Sequence, residues 1–173
     1  LGIQSQTLTR EGLAWAIRAD IRTYRVIETP NIPLLHELKA ALPKCLIGLR
    51  LVRDVDLRDP VQAAKDFYAA LRPKLLEFPY DFVSGANEMG YYADTAGLYS
   101  IFNTMLADYL RSDGDSHVSL VRYGAYDFGV LWPDVALIDS YRPGSRACDV
   151  LFMHAYKLPL VADEDTLYHH RAV

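Results

Sequence analysis

The residues whose types suit catalysis stand at the ends of short apolar runs. Asn87 and Glu88 come directly after the fourth such run, and His154 and Tyr156 stand at and just past the end of the sixth. A glutamic acid can move a proton as a general acid or base. An asparagine amide both donates and accepts hydrogen bonds, so it can hold a substrate hydroxyl without adding charge. These positions indicate a polar site built from the ends of separate elements.

Polar residues also stand at or just after the other run ends, namely Gln4, Gln6, Glu28, Arg50, Asp54, Tyr126 and Asp127. Arg50 differs from the rest because it lies inside its apolar run. Burying an unpaired guanidinium would be costly. We therefore expect Arg50 to pair with a carboxylate at a neighbouring run end, either Glu28 or Glu88.

The apolar runs alternate with amphipathic stretches along the chain. This alternation predicts strands at 1–6, 23–27, 46–52, 80–86, 118–123 and 150–154. It predicts helices at 9–20, 33–42, from 60 onward, 95–111 and 133–141. Thr9 and Asp59 are the predicted N-caps of two of these helices, and Pro73 is expected to interrupt or kink the third one. Strands and helices in this order predict a parallel sheet with helices outside it.

Two architectures fit such a sheet, an open doubly wound fold and a (β/α)₈ barrel. An open sheet that binds a dinucleotide should carry a glycine-rich turn after its first strand, and neither GxGxxG nor GxxxxGK[ST] occurs in the chain. A barrel brings all the strand ends to one face, where active sites lie. The prediction is an α/β parallel TIM-type barrel with about six βα units, which residues 1–173 form as one partial domain.

The Asn87-Glu88 pair at the end of the fourth strand resembles the Asn-Glu pair of clan A retaining (β/α)₈ glycoside hydrolases. His154-Ala155-Tyr156 resembles a His-x-Tyr found after their sixth strand. The resemblance implies that Glu88 is the general acid/base of a glycosidase and that Asn87 binds the 2-hydroxyl of a polysaccharide or oligosaccharide substrate. It also implies that His154 and Tyr156 line the sugar site.

Three more residues are candidates for substrate binding because of their residue types and their positions in the sequence. Arg50 lies at a strand end, Tyr126 stands either at the site or in a surface loop, and Trp132 is either a stacking platform for a sugar or a cover on the following helix. The family's nucleophile, a second glutamate after the seventh strand, has no counterpart, because Glu164 stands too close to the sixth strand. We therefore assign no nucleophile, and we expect the last two βα units to be missing.

Two other functions remain open. The chain can be a non-catalytic carbohydrate-binding or interaction protein built on a truncated barrel. It can also be a different barrel enzyme with Glu88 as general base, but an aldolase needs a strand-end lysine, and only Lys157 is near one. In each case an incomplete barrel leaves the edges of its first and sixth strands exposed, which predicts a homo-oligomer or aggregation.

The composition of the 173-residue chain restricts the classes of partner and cofactor that it is expected to bind. Hydrophobic residues make up 51% and the net charge is −4, which indicates a globular protein without a nucleic-acid surface. Cys45 and Cys148 are too few for a disulfide scaffold and show no metal-ligand spacing, so we predict no metal and no cofactor.

No apolar run reaches the roughly 20 residues of a membrane span. The first residues lack signal-peptide features. A signal removed before residue 1 would mean a secreted or cell-surface protein, and otherwise the expectation is cytoplasmic.

Overall fold

The computed structural model describes residues 2–86, 93–126 and 142–152, and over these residues the chain is an α/β structure. The strands are β1 (Gly2–Ser5), β2 (Thr23–Ile27), β3 (Leu46–Arg50), β4 (Phe82–Ser84), β5 (Arg122–Tyr126) and β6 (Val150–Phe152). The helices are α1 (Arg10–Arg18), α2 (Ile32–Ala41), α3 (Pro60–Glu77), α4 (Ala93–Arg111) and the single turn α5 (Ser116–Ser119). Residues 142–147 are also helical. The predicted alternation of strands and helices is therefore confirmed.

The six strands form one parallel sheet in the order β1-β2-β3-β4-β5-β6. Each strand pairs with the next strand along the chain, so the strand order does not reverse among the described residues. A doubly wound sheet reverses its order at a switch point. Because crossovers between parallel strands are right-handed, a sheet without reversal has its connecting helices on one side. Within that layer, α1 packs on α2 and α3 packs on α4.

The side chains of each strand alternate between a helix-side face and an opposite face. Buried residues of the helix-side face join the apolar core with side chains from the helices. They are Tyr24, Val26, Ile47, Leu49, Val83 and Tyr123 from the sheet, with Leu13, Leu35, Phe67 and Phe102 among their helical partners. The opposite face carries the residues between them, which are Gln4, Arg25, Gly48, Arg50, Phe82, Ser84, Arg122 and Gly124. The core thus lies between the sheet and its layer of helices.

Gly48 and Phe82 are paired neighbours on the opposite face. A Cβ atom added to Gly48 would lie 2.1 Å from the Phe82 ring. The ring therefore occupies the space that any larger residue at position 48 would need. Phe82 is 5% exposed, so this contact also buries an aromatic ring on the side away from the helices.

The helix boundaries follow from capping side chains. Thr9 accepts a hydrogen bond from the Gly12 N–H at 3.0 Å, and Asp59 accepts one from the Gln62 N–H at 3.0 Å. Both predicted N-caps are confirmed. Pro73 was expected to interrupt or kink α3; the interruption is wrong, because α3 continues through this residue to Glu77, and the kink stays a prediction. Buried residues lie on both sides of Pro73, and their packing outweighs the missing N–H of one proline.

The predicted strand at 118–123 is wrong in its first half. Val118 lies in α5, and β5 begins at Arg122. Asp115 caps α5 by accepting a hydrogen bond from the His117 N–H at 2.8 Å, while Val118 is fully buried. A short apolar run does not distinguish a buried helical turn from a strand, which explains the error. The helix predicted at 133–141 lies outside the described residues.

The amino ends of the strands form one edge of the sheet, which we call the amino edge. Asp81, just before β4, accepts hydrogen bonds from the Ile47 N–H at 2.7 Å and from Lys39 at 2.8 Å. Asp149, just before β6, accepts one from the Tyr123 N–H at 2.8 Å. Arg111 at the end of α4 lies 3.2 Å from the same carboxylate. Each of these carboxylates therefore joins two neighbouring strands and a helix.

Candidate functional site

The carboxyl ends of the strands form the other edge, which we call the carboxyl edge. One row of paired residues crosses β2 to β6 in the order Ile27, Arg50, Ser84, Gly124 and Val150, and it lies at the carboxyl ends of β2, β3 and β4. The register therefore places Arg50 next to β4. Since β4 is the strand that precedes Asn87 in the sequence, the carboxyl edge is where the predicted site residues would meet.

Most of the predicted site residues lie outside the described residues. This applies to Asn87, Glu88, Trp132, His154 and Tyr156. Tyr126 ends β5, and only its backbone is described. Arg50 has a described side chain. The assignments of the other residues stay predictions, and the described structure contributes the elements that lead into them.

Arg50 is the last residue of β3 and is half-buried on the opposite face of the sheet. Arg25 and Arg122 lie on the same face, and Arg25 donates a hydrogen bond to the Gln4 side chain. The six strands as described contain no Asp or Glu. The strand residues of this face therefore carry positive charge. The expected pairing of Arg50 with Glu28 or Glu88 stays a prediction.

Glu28, directly after β2, has its backbone in the left-handed region with a φ of 58°. This conformation is uncommon for a residue other than glycine. Two contacts hold it: the Glu28 N–H donates to the Arg50 carbonyl at 2.9 Å, and Lys74 of α3 donates to the Glu28 carbonyl at 3.0 Å. No sequence pattern indicated this turn. It ties the end of β2 to β3 and to α3.

The end of β4 is held by Gly85. Its N–H donates to the Gly124 carbonyl at 2.9 Å, so the pairing with β5 extends one residue past the strand. A Cβ atom added to Gly85 would lie 2.3 Å from the hydroxyl oxygen of Tyr123. Real side chains do not approach so closely, and only glycine fits here without moving Tyr123.

Three buried polar side chains lie behind this strand end, and we call Tyr99, Asn103 and Tyr123 the tyrosine–asparagine cluster. The Tyr123 hydroxyl donates to Asn103 Oδ1 at 2.6 Å, and the Tyr99 hydroxyl donates to the Ala86 carbonyl. All three residues are at most 1% exposed. The Nδ2 atom of Asn103 has no hydrogen-bond partner within the described parts of the chain.

Sequence reasoning missed the tyrosine–asparagine cluster. Tyr99 and Asn103 are four residues apart on α4, so they share one helical face. That face is otherwise apolar, with Phe102 stacked on Tyr99 at a ring-centre distance of 5.9 Å and Leu106 buried beside it. The available signal was the placement of two polar groups on a buried stripe, since buried polar groups need partners.

A separate cavity of about 290 Å³ lies in the loop after β3, with Asp54, Asp56, Asp59 and Asp66 in its lining. Hydrogen bonds from Arg58 lower the pKa of Asp56 to about 2. The pair between these two side chains, 2.5 Å apart, is exposed. The cavity is acidic and open.

Comparison of the chain with models of known protein families and with curated protein sequences finds no match. The described residues contain no group of three or more His, Cys, Asp or Glu side chains that could hold a metal ion. No helix within 2–86, 93–126 and 142–152 is both long and apolar enough to cross a membrane. The function must therefore be inferred from the residues at the carboxyl edge.

Proposed function

We propose that this chain carries the acid/base half of a retaining glycoside hydrolase site, with Glu88 as the general acid/base and Asn87 as a ligand of the sugar. The observation that carries the proposal is the way β4 ends. The fourth strand of a sequentially ordered parallel sheet runs through a fixed Gly85-Ala86 segment directly into Asn87 and Glu88.

The strand order supports a barrel as the parent fold. A (β/α)₈ barrel is built from parallel strands that each pair with the next one, with every helix outside. The described sheet follows this order over six strands. In a barrel, the ends of β4 and β6 both reach the catalytic face. His154 and Tyr156, which follow β6 in the sequence, would join Glu88 there.

The chemistry explains why a glutamic acid is needed at this place. A glycosidic oxygen is a poor leaving group until it is protonated, so the acid gives its proton to that oxygen as the bond to the anomeric carbon breaks. Asn87 can bind the 2-hydroxyl, and hydrogen bonds to this group strengthen in the transition state. Arg50, with five N–H donors, can hold a further sugar oxygen beside β4.

The test compares pairs of phenyl and dinitrophenyl glycosides, with azide added as an external nucleophile because the proposal assigns none to this chain. Azide attacks the anomeric carbon, the bond to the aryl oxygen breaks, and a phenolate must be protonated as it leaves. Dinitrophenolate leaves without a proton. We expect Glu88→Gln to lower phenol release at least tenfold, about 1.4 kcal/mol of activation free energy, and to leave dinitrophenol release nearly unchanged.

Glu77→Gln is the matched control, because Glu77 is exposed at the end of α3. This variant should behave as the wild type on both substrates. An equal loss of rate on both substrates in Glu88→Gln would contradict the acid role. Oligosaccharide binding without any aryl release would favour the alternative, a carbohydrate-binding protein. If the chain shows neither oligosaccharide binding nor aryl release, both the hydrolase and the carbohydrate-binding functions are rejected.

We further propose that the chain forms a homo-oligomer through a sheet edge. Among the described residues, β1 pairs with β2 alone, so the backbone groups along its outer side are available to a second strand. Light scattering of the purified chain should give a mass above the 19.5 kDa of one copy. A stable monomer at all concentrations would contradict this assembly.

A further inference from the structure

We infer that the tyrosine–asparagine cluster positions the backbone that carries Asn87 and Glu88. Tyr99 acts through the Ala86 carbonyl, and Tyr123 with Asn103 acts through Gly85. These are positioning residues, since none of them needs to touch a substrate. The inference deepens the proposed function and rests on it for the role of Glu88.

The geometry fixes the last two residues before Asn87 from two sides. Gly85 is bound to β5 through its N–H, and Ala86 is bound to α4 through its carbonyl. Asn87 and Glu88 follow Ala86 directly in the sequence. These two backbone contacts, which we call the anchor, are therefore the last described contacts before the proposed site residues.

The contacts also show how firmly the anchor itself is held. The Tyr99 ring stacks on Phe102, and the Phe102 ring meets Phe67 of α3 edge to face at 5.6 Å. A hydroxyl on a packed ring has little freedom to leave its acceptor. If the hydroxyl is removed, the Ala86 carbonyl loses its hydrogen-bond partner in a buried place, which favours another backbone conformation.

The side chains of Tyr99, Asn103 and Tyr123 carry no formal charge in their ordinary protonation states. Their hydrogen bonds described above join these side chains to one another and to the Ala86 carbonyl. Replacing Tyr99 by phenylalanine therefore removes a neutral hydroxyl and leaves the net charge of the chain unchanged. A change in the titration of Glu88 would then report a change in its surroundings.

The experiment is nuclear magnetic resonance on the full chain with Tyr99→Phe. The control is Tyr109→Phe on the same helix, because the Tyr109 hydroxyl makes no hydrogen bond within the described residues and its ring stacks on Tyr68. Two quantities are measured: the backbone amide shifts of Asn87 and Glu88, and the titration of the Glu88 carboxyl. Glu88→Gln assigns the carboxyl signal.

We expect Tyr99→Phe to fold, to move both amide signals beyond the spread seen in Tyr109→Phe, and to change the acid dissociation constant of Glu88 about threefold or more. Unchanged amide shifts would overturn the positioning role, whether or not the acid dissociation constant of Glu88 changes. Moved amide shifts with an unchanged dissociation constant would also overturn it. A wild-type Glu88 that titrates near the ordinary glutamate value of about 4.3 would instead count against the proposed function.

If Tyr99→Phe does not fold, Asn103→Ala provides the second variant. It removes the acceptor of the Tyr123 hydroxyl but keeps the bond between Tyr99 and Ala86. A smaller shift of the same two amide signals is then expected. Signals that match the wild type would overturn the role of Asn103 and Tyr123.

Discussion

The two edges of the sheet hold their strands by different means. At the amino edge, Asp81 and Asp149 bind backbone N–H groups and pair with Lys39 and Arg111. At the carboxyl edge, the contacts around Gly85 and Ala86 come from backbone amides and neutral hydroxyls. The acidic side chains of the amino edge are therefore engaged in structural contacts. The carboxyl edge is held without carboxylates among the described contacts, which is compatible with the catalytic role proposed for Glu88.

The largest effect should come from Gly85→Ala at the carboxyl edge. The new methyl group would overlap the Tyr123 hydroxyl and break its bond to Asn103. We expect the free energy of unfolding to fall by about 3 kcal/mol, measured by urea denaturation. Gly97→Ala is the control, because nothing lies within 4 Å of its added Cβ. Since Gly97 lies inside α4, this control should gain about 0.5–1 kcal/mol. Equal effects of the two substitutions would contradict the close contact at Gly85.

A smaller effect is expected at the amino edge. Asp81→Ala removes the acceptor of the Ile47 N–H and leaves Lys39 with the Cys45 carbonyl alone, and it should cost about 2 kcal/mol of unfolding free energy. Asp149→Ala should cost about 1 kcal/mol, because its side chain is 40% exposed against 27% for Asp81. Asp108→Ala, an exposed change on α4, should stay within about 0.5 kcal/mol. Equal stability of all three variants would contradict the structural role of Asp81 and Asp149 at the amino edge.

The smallest expected effect is on the pH dependence of the free energy of unfolding. Hydrogen bonds from Arg72 and Tyr68 hold the pKa of Asp113 well below its usual range. Asp113 becomes protonated near pH 3.9 when unfolded and at lower pH when folded. Its contribution is therefore complete above about pH 5 and is lost progressively as the pH falls from there. Below pH 4, the stability of the wild type should fall more steeply with decreasing pH than that of Asp113→Asn, in denaturant titrations.

Asp56→Asn is the control for that measurement. The pKa of Asp56 is also lowered, but its partner Arg58 is only two residues away. Such a local pair can persist in the unfolded chain, so it should change the pH dependence of stability little. Identical slopes for the Asp113 and Asp56 variants would contradict the argument that the hydrogen bonds of Asp113 with Tyr68 and Arg72, which are 45 and 41 residues away, form only in the folded chain.

The sequence predicted those features that depend on neighbours along the chain. The bounds of β2 and the caps Thr9 and Asp59 are correct, because strand alternation and capping are local. Val118 was assigned wrongly to a strand and α3 does not stop at Pro73, since long-range packing decided both.

The candidate site was predictable only in part for the same reason. Arg50 could be placed at a strand end from the pattern alone. The requirement for glycine at position 85 could not, because it arises from a hydroxyl 38 positions away in the chain, on Tyr123. The turn at Glu28 also depends on α3, through Lys74. Sequence patterns thus identify the strands that carry a site more readily than the contacts that fix it.

The contact between Gly48 and Phe82 limits how this sequence can evolve. A side chain at position 48 would require the space of the Phe82 ring, and a smaller residue at position 82 alone would leave a cavity. Each single change is therefore disfavoured while the other residue stays as it is. Positions 48 and 82 should vary together among descendants of this chain, with a larger residue at one matched by a smaller residue at the other.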